Sequence, residues 1–471
     1  MPSRPPTAAG TTGARGGPRP GLLLLWALVA CETYTAKPIV EEDVEARLRM
    51  PTAEVLYERA RGLEHPLLES VPLEVGDGVT PREASILAVL LNPDLRAMRG
   101  RRSLAAAQVI QAGILPNPRL SYQWDTPVGG LTAGTTDAFN GELAWAVNGL
   151  ITRGARVSAA ELEGRAIDLD VSWAEWQTAL AARKATVSCL ALQTQVELAD
   201  EAAGRAEANL ALTKQAAAQG LLSALDSSAA EAAWNGARAR SLELRRQLRE
   251  RTSQLTYLLG LPPTTALTLQ AGSLAADPGG VPPYEDLVAG LEQRRLDLLA
   301  LRLAYESREA SVRAAILGQY PQIEVGLLHA RDNSDLYTTG FGIAIDLPIF
   351  DRNQGRIAEE RATRALAYEE YVARIAKARA NIHALLEAVR AIEAQVRVAR
   401  DSVPGLTRLV DAYRSATALG QADVLSYYLA WNALSDTRIR IIELEKDLAE
   451  ALIGLSVECG ANDLATLRSA E

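Results

Sequence analysis

The chain has 471 residues, room for two or three ordinary domains, and 48% of them are hydrophobic, enough to build substantial cores. Its formal net charge is −9, from 49 basic and 58 acidic residues, and no long basic block lies beyond the extreme N-terminus. That balance excludes a nucleic-acid-binding footprint.

At the N-terminus, Arg4, Arg15 and Arg19 precede an apolar run over residues 21–30 that contains four consecutive leucines, the layout of an export signal. The run is too short to span a bilayer, which takes roughly 20 residues as a helix. It ends on Leu28-Val29-Ala30-Cys31, which resembles a bacterial lipobox. The resemblance implies cleavage ahead of Cys31 and a diacylglyceryl group on its thiol, leaving residues 1–30 as signal and 31–79 as a lipid-anchored segment. An ordinary signal peptide with an accidental cysteine is the alternative. Export puts Cys189 and Cys459 in an oxidising compartment where pairing is chemically open. They are far apart in sequence and sit in apolar helical contexts, so buried free thiols are expected. No later apolar stretch reaches 18 residues, so any crossing of a membrane must be made by strands.

The remainder is a duplication. Residues 80–261 and 284–457 carry the same elements in the same order at an offset near 200, with a linker over 262–283 and a tail over 458–471. The segment Asn92-Pro93-Asp94-Leu95 answers Arg295-Leu296-Asp297-Leu298, Gly220 answers Gly420, and Leu259-Gly260-Leu261 answers Ile453-Gly454-Leu455 as the close of each copy. Each half reads as helix, strand pair, very long helix, turn, helix. The first helix opens at Thr80-Pro81-Arg82-Glu83, a capping-box pattern with proline at the first helical position, and continues to about residue 113. Residues 153–218 are rich in Ala, Leu, Glu, Arg and Gln and contain no proline, which predicts a helix roughly 100 Å long. A second such helix over 356–418 is interrupted by Pro404, which should bend it at the equator or at a constriction. Shorter helices over 222–259 and 421–453 follow the two glycine turns. Laid end to end, the two short rods of each half match the long one they flank.

Between the helices the period changes from 3.6 to 2. Leu120, Tyr122 and Trp124 alternate with polar neighbours, as do Phe139, Leu143, Trp145 and Val147. In the second half Ile323, Val325 and Leu327 share one face of a strand, and Phe341, Ile343, Ile345 and Leu347 share one face of the next. Half-buried soluble sheets alternate in the same way. The strand pairs over 117–149 and 321–349 are, however, long enough for tilted membrane strands. Single-chain barrels start at about eight strands, so four must be completed by other copies or leave their edges open.

The stretch Leu347-Pro348-Ile349-Phe350-Asp351-Arg352-Asn353-Gln354-Gly355-Arg356-Ile357, set between the last strand and the second long helix, resembles the signature of TolC-like outer-membrane efflux factors. Within that family it is closest to the heavy-metal efflux lipoproteins of the CzcC and CusC kind. The turns Gly220-Leu221-Leu222-Ser223 and Gly420-Gln421-Ala422-Asp423 are similar to the family's periplasmic tips, and the likeness covers residues 80–457. It implies an α+β membrane protein: long α-helices in a periplasmic helical barrel, and four β-strands per protomer in a trimeric 12-stranded transmembrane β-barrel. It also implies a homotrimer, a periplasmic adaptor and an inner-membrane transporter of the RND class as partners, with the possibility of heavy-metal cations as cargo. Docking of the adaptor would fall at Gly220, Leu221, Ser223, Gly420 and Gln421, where simple helix breaks are the alternative. Asp423 would line the periplasmic gate as a ring of three carboxylates, or cap its own helix, or both.

Catalysis is not expected. His65, His329 and His383 lie in separate segments, and no G-x-S-x-G, H-E-x-x-H or P-loop pattern occurs. With three methionines and three histidines the chain offers no metal relay of its own, and no cofactor is expected. A lipid-anchored coiled-coil scaffold does not account for the strands. An adaptor subunit would need β-rich halves flanking a single hairpin, where this chain has two.

Overall fold

A computed structural model describes residues 32–69, 72–73, 78–270, 280–419, 421–462 and 464–467. Cys31 and Gly420 lie outside the described residues. The chain divides into two units, 1–49 and 50–471. In the first, the described part carries helix α1 (Glu41–Leu48), whose first turn holds Glu41, Glu42 and Asp43 at the positive end of the helix dipole.

The second unit contains both repeats. After α2 (Ala53–Arg61) come α3 (Pro81–Leu91), α4 (Pro93–Gly113), β1 (Arg119–Asp125), β2 (Ala138–Ala146), α5 (Asn148–Ala218) and α6 (Ala224–Leu258). The second copy gives α7 (Tyr284–Val288), α8 (Leu291–Arg294), α9 (Leu296–Leu317), β3 (Gln322–Arg331), β4 (Tyr337–Asp346), α10 (Gln354–Ala418) and α11 (Val424–Cys459), followed by a short 3-10 turn (Leu464–Leu467). At 71 residues α5 is about 105 Å long, and α10, at 65 residues, is about 98 Å. Both pack along their shorter partners, α5 on α3, α4 and α6, and α10 on α9 and α11, while α9 and α11 also lie against α5 and join the halves.

The expected capping box is present: Thr80 accepts from the Glu83 N–H, and Glu83 accepts from the Thr80 N–H. The helix it opens is shorter than the reading of residues 80–113 as one rod. Pro93 forces Asn92 out of helical conformation, to φ −55° and ψ 124°, and the chain restarts as α4. Asn92 caps the new helix by accepting from Asp94 N and Leu95 N, and its amide donates to the Leu258 carbonyl of α6. Pro404 does not end α10, which runs through it.

The copies close differently from the sequence alignment. Gly454 is an interior residue of α11; the counterpart of Gly260 is Gly460. Both are left-handed, at φ +67° and +62°, and both sit against the junction where the other helices of their repeat begin anew: Gly260 against Leu91 and Asn92, Gly460 against Arg294 and Arg295. A side chain at either position would meet that backbone.

Each repeat has its own core at this level. One gathers Leu56, Ile86, Leu87, Leu91, Cys189, Leu255 and Leu259; the other gathers Leu287, Leu291, Leu298, Ile382, Leu386, Leu455 and Cys459. A third, with Trp173, Trp176, Leu180, Leu296 and Ile453, lies between them. Cys189 and Cys459 are free and buried, as expected, and burial pushes their thiols up to about 11 and about 12.

Candidate functional site

The four strands form one antiparallel sheet in the order β1-β2-β3-β4, so the repeats meet at β2 and β3, and β1 and β4 are edges. Register decides what each face carries. Leu120, Tyr122 and Trp124 stand opposite Leu143, Gly141 and Phe139; Trp145, Leu143 and Phe139 stand opposite Val325, Leu327 and Arg331. Val325, Leu327 and Ile323 in turn oppose Ile343, Phe341 and Ile345. Because side chains alternate with period 2, these residues share one face, and the apolar runs seen strand by strand join into one apolar surface. The opposite face carries Ser121, Gln123, Asn140, Glu142, Glu324, Thr338 and Asp346, with small residues at Ala144, Gly326, Gly340, Gly342 and Ala344.

The apolar face is not covered by this chain. Leu120, Trp124, Leu327, Phe341 and Ile343 are all more than half exposed. Towards the loops Tyr122, Trp124, Phe139, His329 and Tyr337 form a chain of ring contacts at 5.7–6.5 Å, and Arg331 lies over the Phe139 and Tyr337 rings. Aromatic residues at the end of an apolar band are the pattern of a membrane interface. No helix among the described residues is long and apolar enough to cross a membrane.

At the other end of the long helices the two turns lie together, because Leu210 of α5, Ala230 and Trp234 of α6, and Val424 and Tyr428 of α11 share one apolar cluster. After α5 the Leu221 N–H reaches back to the Ala216 carbonyl at 2.9 Å and Gly220 is left-handed at φ +75°, a Schellman close. In the second copy the Gln421 N–H makes the matching bond to the Ala416 carbonyl at 2.8 Å. The caps that follow exchange residue types. Ser223 caps α6 and is answered by Asp226, whereas Asp423 caps α11 and is answered by Ser426. One Asp423 oxygen accepts from the Ser426 N–H at 2.6 Å and the other from its hydroxyl at 3.0 Å, and these bonds hold the carboxyl below the usual carboxylate range. Leu221, Leu225, Leu419, Leu425 and Leu429 are exposed around the turns.

Two charged clusters at the middle of the long helices escape a sequence reading. Arg295 and Asp297, both buried, pair at 2.8 Å; Arg295 also reaches Glu458 at 2.5 Å and lies over the Trp173 ring, and Arg374 of α10 reaches Asp297 at 3.2 Å. This cluster ties α5, α9, α10 and α11 at one level. In the other, the buried imidazole of His65 accepts at Nδ1 from the Leu67 and Leu68 N–H groups, at 3.0 and 3.1 Å, while Nε2 donates to the Ser172 carbonyl at 2.9 Å. Glu175 stands 3.9 Å from the ring and is held by Arg99 at 2.6 Å. Among the described residues no group of three or more His, Cys, Asp or Glu is placed to hold a metal ion.

A sheet with an uncovered apolar face and open edges, carried at one end of long paired helices whose other end holds two capped turns, defines the protomer of a barrel-forming channel. The sequence profile of the outer membrane efflux protein family matches residues 87–261 and 287–461, which are the two repeats, and the chain belongs to that family. It is an outer-membrane channel component of a tripartite efflux system. It is 26% identical over 373 residues to the cobalt-zinc-cadmium resistance protein CzcC of Cupriavidus metallidurans, covering 79% of this chain and 87% of that protein. Among solved structures, CusC superposes with a TM-score of 0.67 at 18% identity, covering 85% of this chain and 98% of CusC. The outer membrane protein VceC of Vibrio cholerae gives a TM-score of 0.68 at 18% identity, covering 81% and 96% of the two chains.

Proposed function

We propose that three copies of this chain close a single 12-stranded barrel and serve as the exit duct of a metal-cation efflux pump. The observation that carries this reading is the sheet, whose four strands present one shared apolar band, bordered towards the loops by His329, Arg331 and Thr339, and end in the unpaired edges β1 and β4. Such edges are stable in a membrane only when paired, and rotation by one third of a turn brings β4 of one copy beside β1 of the next. The polar face then lines the lumen. Likeness to a cobalt-zinc-cadmium resistance protein favours divalent metal cations as cargo, and a place in a tripartite efflux system favours an RND-class transporter and its periplasmic adaptor as partners.

The exposed leucines around Gly220, Leu221 and Ser223, and around Gly420 and Gln421, suit docking of that adaptor. Asp423 is both a helix cap and, in this reading, one third of a carboxylate ring that favours cations at the periplasmic mouth. Acylation of Cys31 would fix the N-terminus to the membrane. The test is reconstitution of the purified protein in a planar bilayer. Discrete channel openings are expected, and a protein that enters the bilayer without conducting would overturn the duct.

A further inference from the structure

Beside the core of the first repeat, where the chain ahead of α3 meets α3 and α5, two arginines border one small cavity. Arg82 comes from the first turn of α3 and Arg183 from the middle of α5; Glu69, Ser85, Leu180 and Asn462 complete the part of the wall that matters here. The space is about 30 Å³, room for about two waters or one small ion. Arg183 is half-buried, its burial disfavours the charged form, and the one charged side chain acting on it is Arg82, which repels it.

Neither guanidinium has a carboxylate within ion-pair distance or a side-chain hydrogen bond among the described residues. Glu69, on the same wall, is exposed and also makes no ion pair there. Arginines of the two charged clusters behave differently: Arg99 is matched by Glu175 at 2.6 Å, and Arg295 by Asp297 and Glu458 at 2.8 and 2.5 Å. A half-buried cation set against a second cation is unfavourable unless a counter-charge lies between them. Guanidinium offers five N–H donors in a planar fork that fits carboxylate and phosphate oxygens.

We infer that Arg82 and Arg183 form a binding site for a small oxyanion of the carboxylate or phosphate class, fastening α3 to α5. Occupancy neutralises the pair and supplies acceptors to the half-buried Arg183 fork, which has none among the described residues, while Arg82 reaches the ion from the exposed side. Because Arg183 lies on the long helix and Arg82 on the helix it flanks, the bound ion acts as a clamp at the level of the first-repeat core, independently of whether the chain conducts.

The test is thermal unfolding of the full-length protein in detergent, titrated with inorganic phosphate or with acetate against sodium chloride at constant ionic strength. The unfolding midpoint of the wild type should rise and saturate with oxyanion concentration, as binding to the folded state requires. Arg183→Met should show no saturable rise and should begin above the ion-free wild type, since repulsion is relieved; Arg183→Lys should keep a weaker rise. A rise of equal size in wild type and Arg183→Met would be the general effect of excluded salts and would overturn the site. So would an unresponsive wild type in which Glu69→Gln lowers the midpoint, because Glu69 would then be the partner. A response to phosphate but not acetate identifies the ligand as phosphate; equal responses identify any small carboxylate or phosphate.

Discussion

Gly260 and Gly220 are both left-handed, yet alanine should affect them very differently. At Gly220, φ is +75° and a Cβ would meet nothing within 4 Å, so Gly220→Ala loses only the conformational preference, about 1–2 kcal/mol. At Gly260, φ is +67° and a Cβ would lie 2.3 Å from the Leu91 carbonyl oxygen and 2.9 Å from the Asn92 nitrogen. Both are backbone atoms at the junction of α3 and α4, so that junction must move. Adding overpacking of about 1–3 kcal/mol gives a total of about 2–5 kcal/mol for Gly260→Ala. Gly460→Ala should fall between them, because its Cβ would stand 3.2 Å from the Arg294 carbonyl oxygen. Thermal unfolding in detergent, followed by the fluorescence of Trp173 and Trp176 in the neighbouring core, should order the midpoints Gly220→Ala, Gly460→Ala, Gly260→Ala from highest to lowest. Equal losses at Gly220 and Gly260 would refute the claim that close approach at the helix break, and not backbone conformation alone, fixes the end of each repeat.

Removing Arg295 as Arg295→Ala should destabilise the protein by about 3–5 kcal/mol, because buried Asp297 loses its nearest cation, and midpoints unchanged from wild type would contradict the tie across four helices. Burial holds the His65 imidazole below its usual range, so its contribution to stability is full at neutral pH and is lost as pH falls below about 6.5 toward the depressed folded value. The protection factors of residues 50–69, with the intrinsic exchange rate at each pH divided out, should therefore fall on mild acidification more in the wild type than in His65→Gln, and equal pH dependence would remove His65 as the cause. In the reconstituted channel Asp423→Ala should weaken cation selectivity and block by divalent cations. Unchanged selectivity would leave Asp423 only its cap on α11.

Much of this arrangement is legible in the sequence because the physics is local. Alternation of Leu120, Tyr122 and Trp124, and of Phe341, Ile343 and Ile345, identifies strands without any knowledge of their partners, and the glycine turn at 220 identifies a reversal. The pairing of β2 with β3 is not local, so the joining of the separate apolar runs into one face appears only with the register. The break at Asn92 was marked by Pro93 but lay inside a run that otherwise reads as helix. Gly454 and Gly460 stand six residues apart, and only left-handed geometry separates the interior glycine from the closing one. Arg295 and Asp297 resemble the solvated charges of the long helices; their burial follows from two repeats packing on each other, which no window of one repeat contains.

In the proposed channel, copies of the same chain complete the open edges of the sheet. The mass of the complex in mild detergent, measured by native mass spectrometry, tests it most directly. Three protomers in one particle are expected, and a stable monomer that keeps its strand content would contradict closure by three copies.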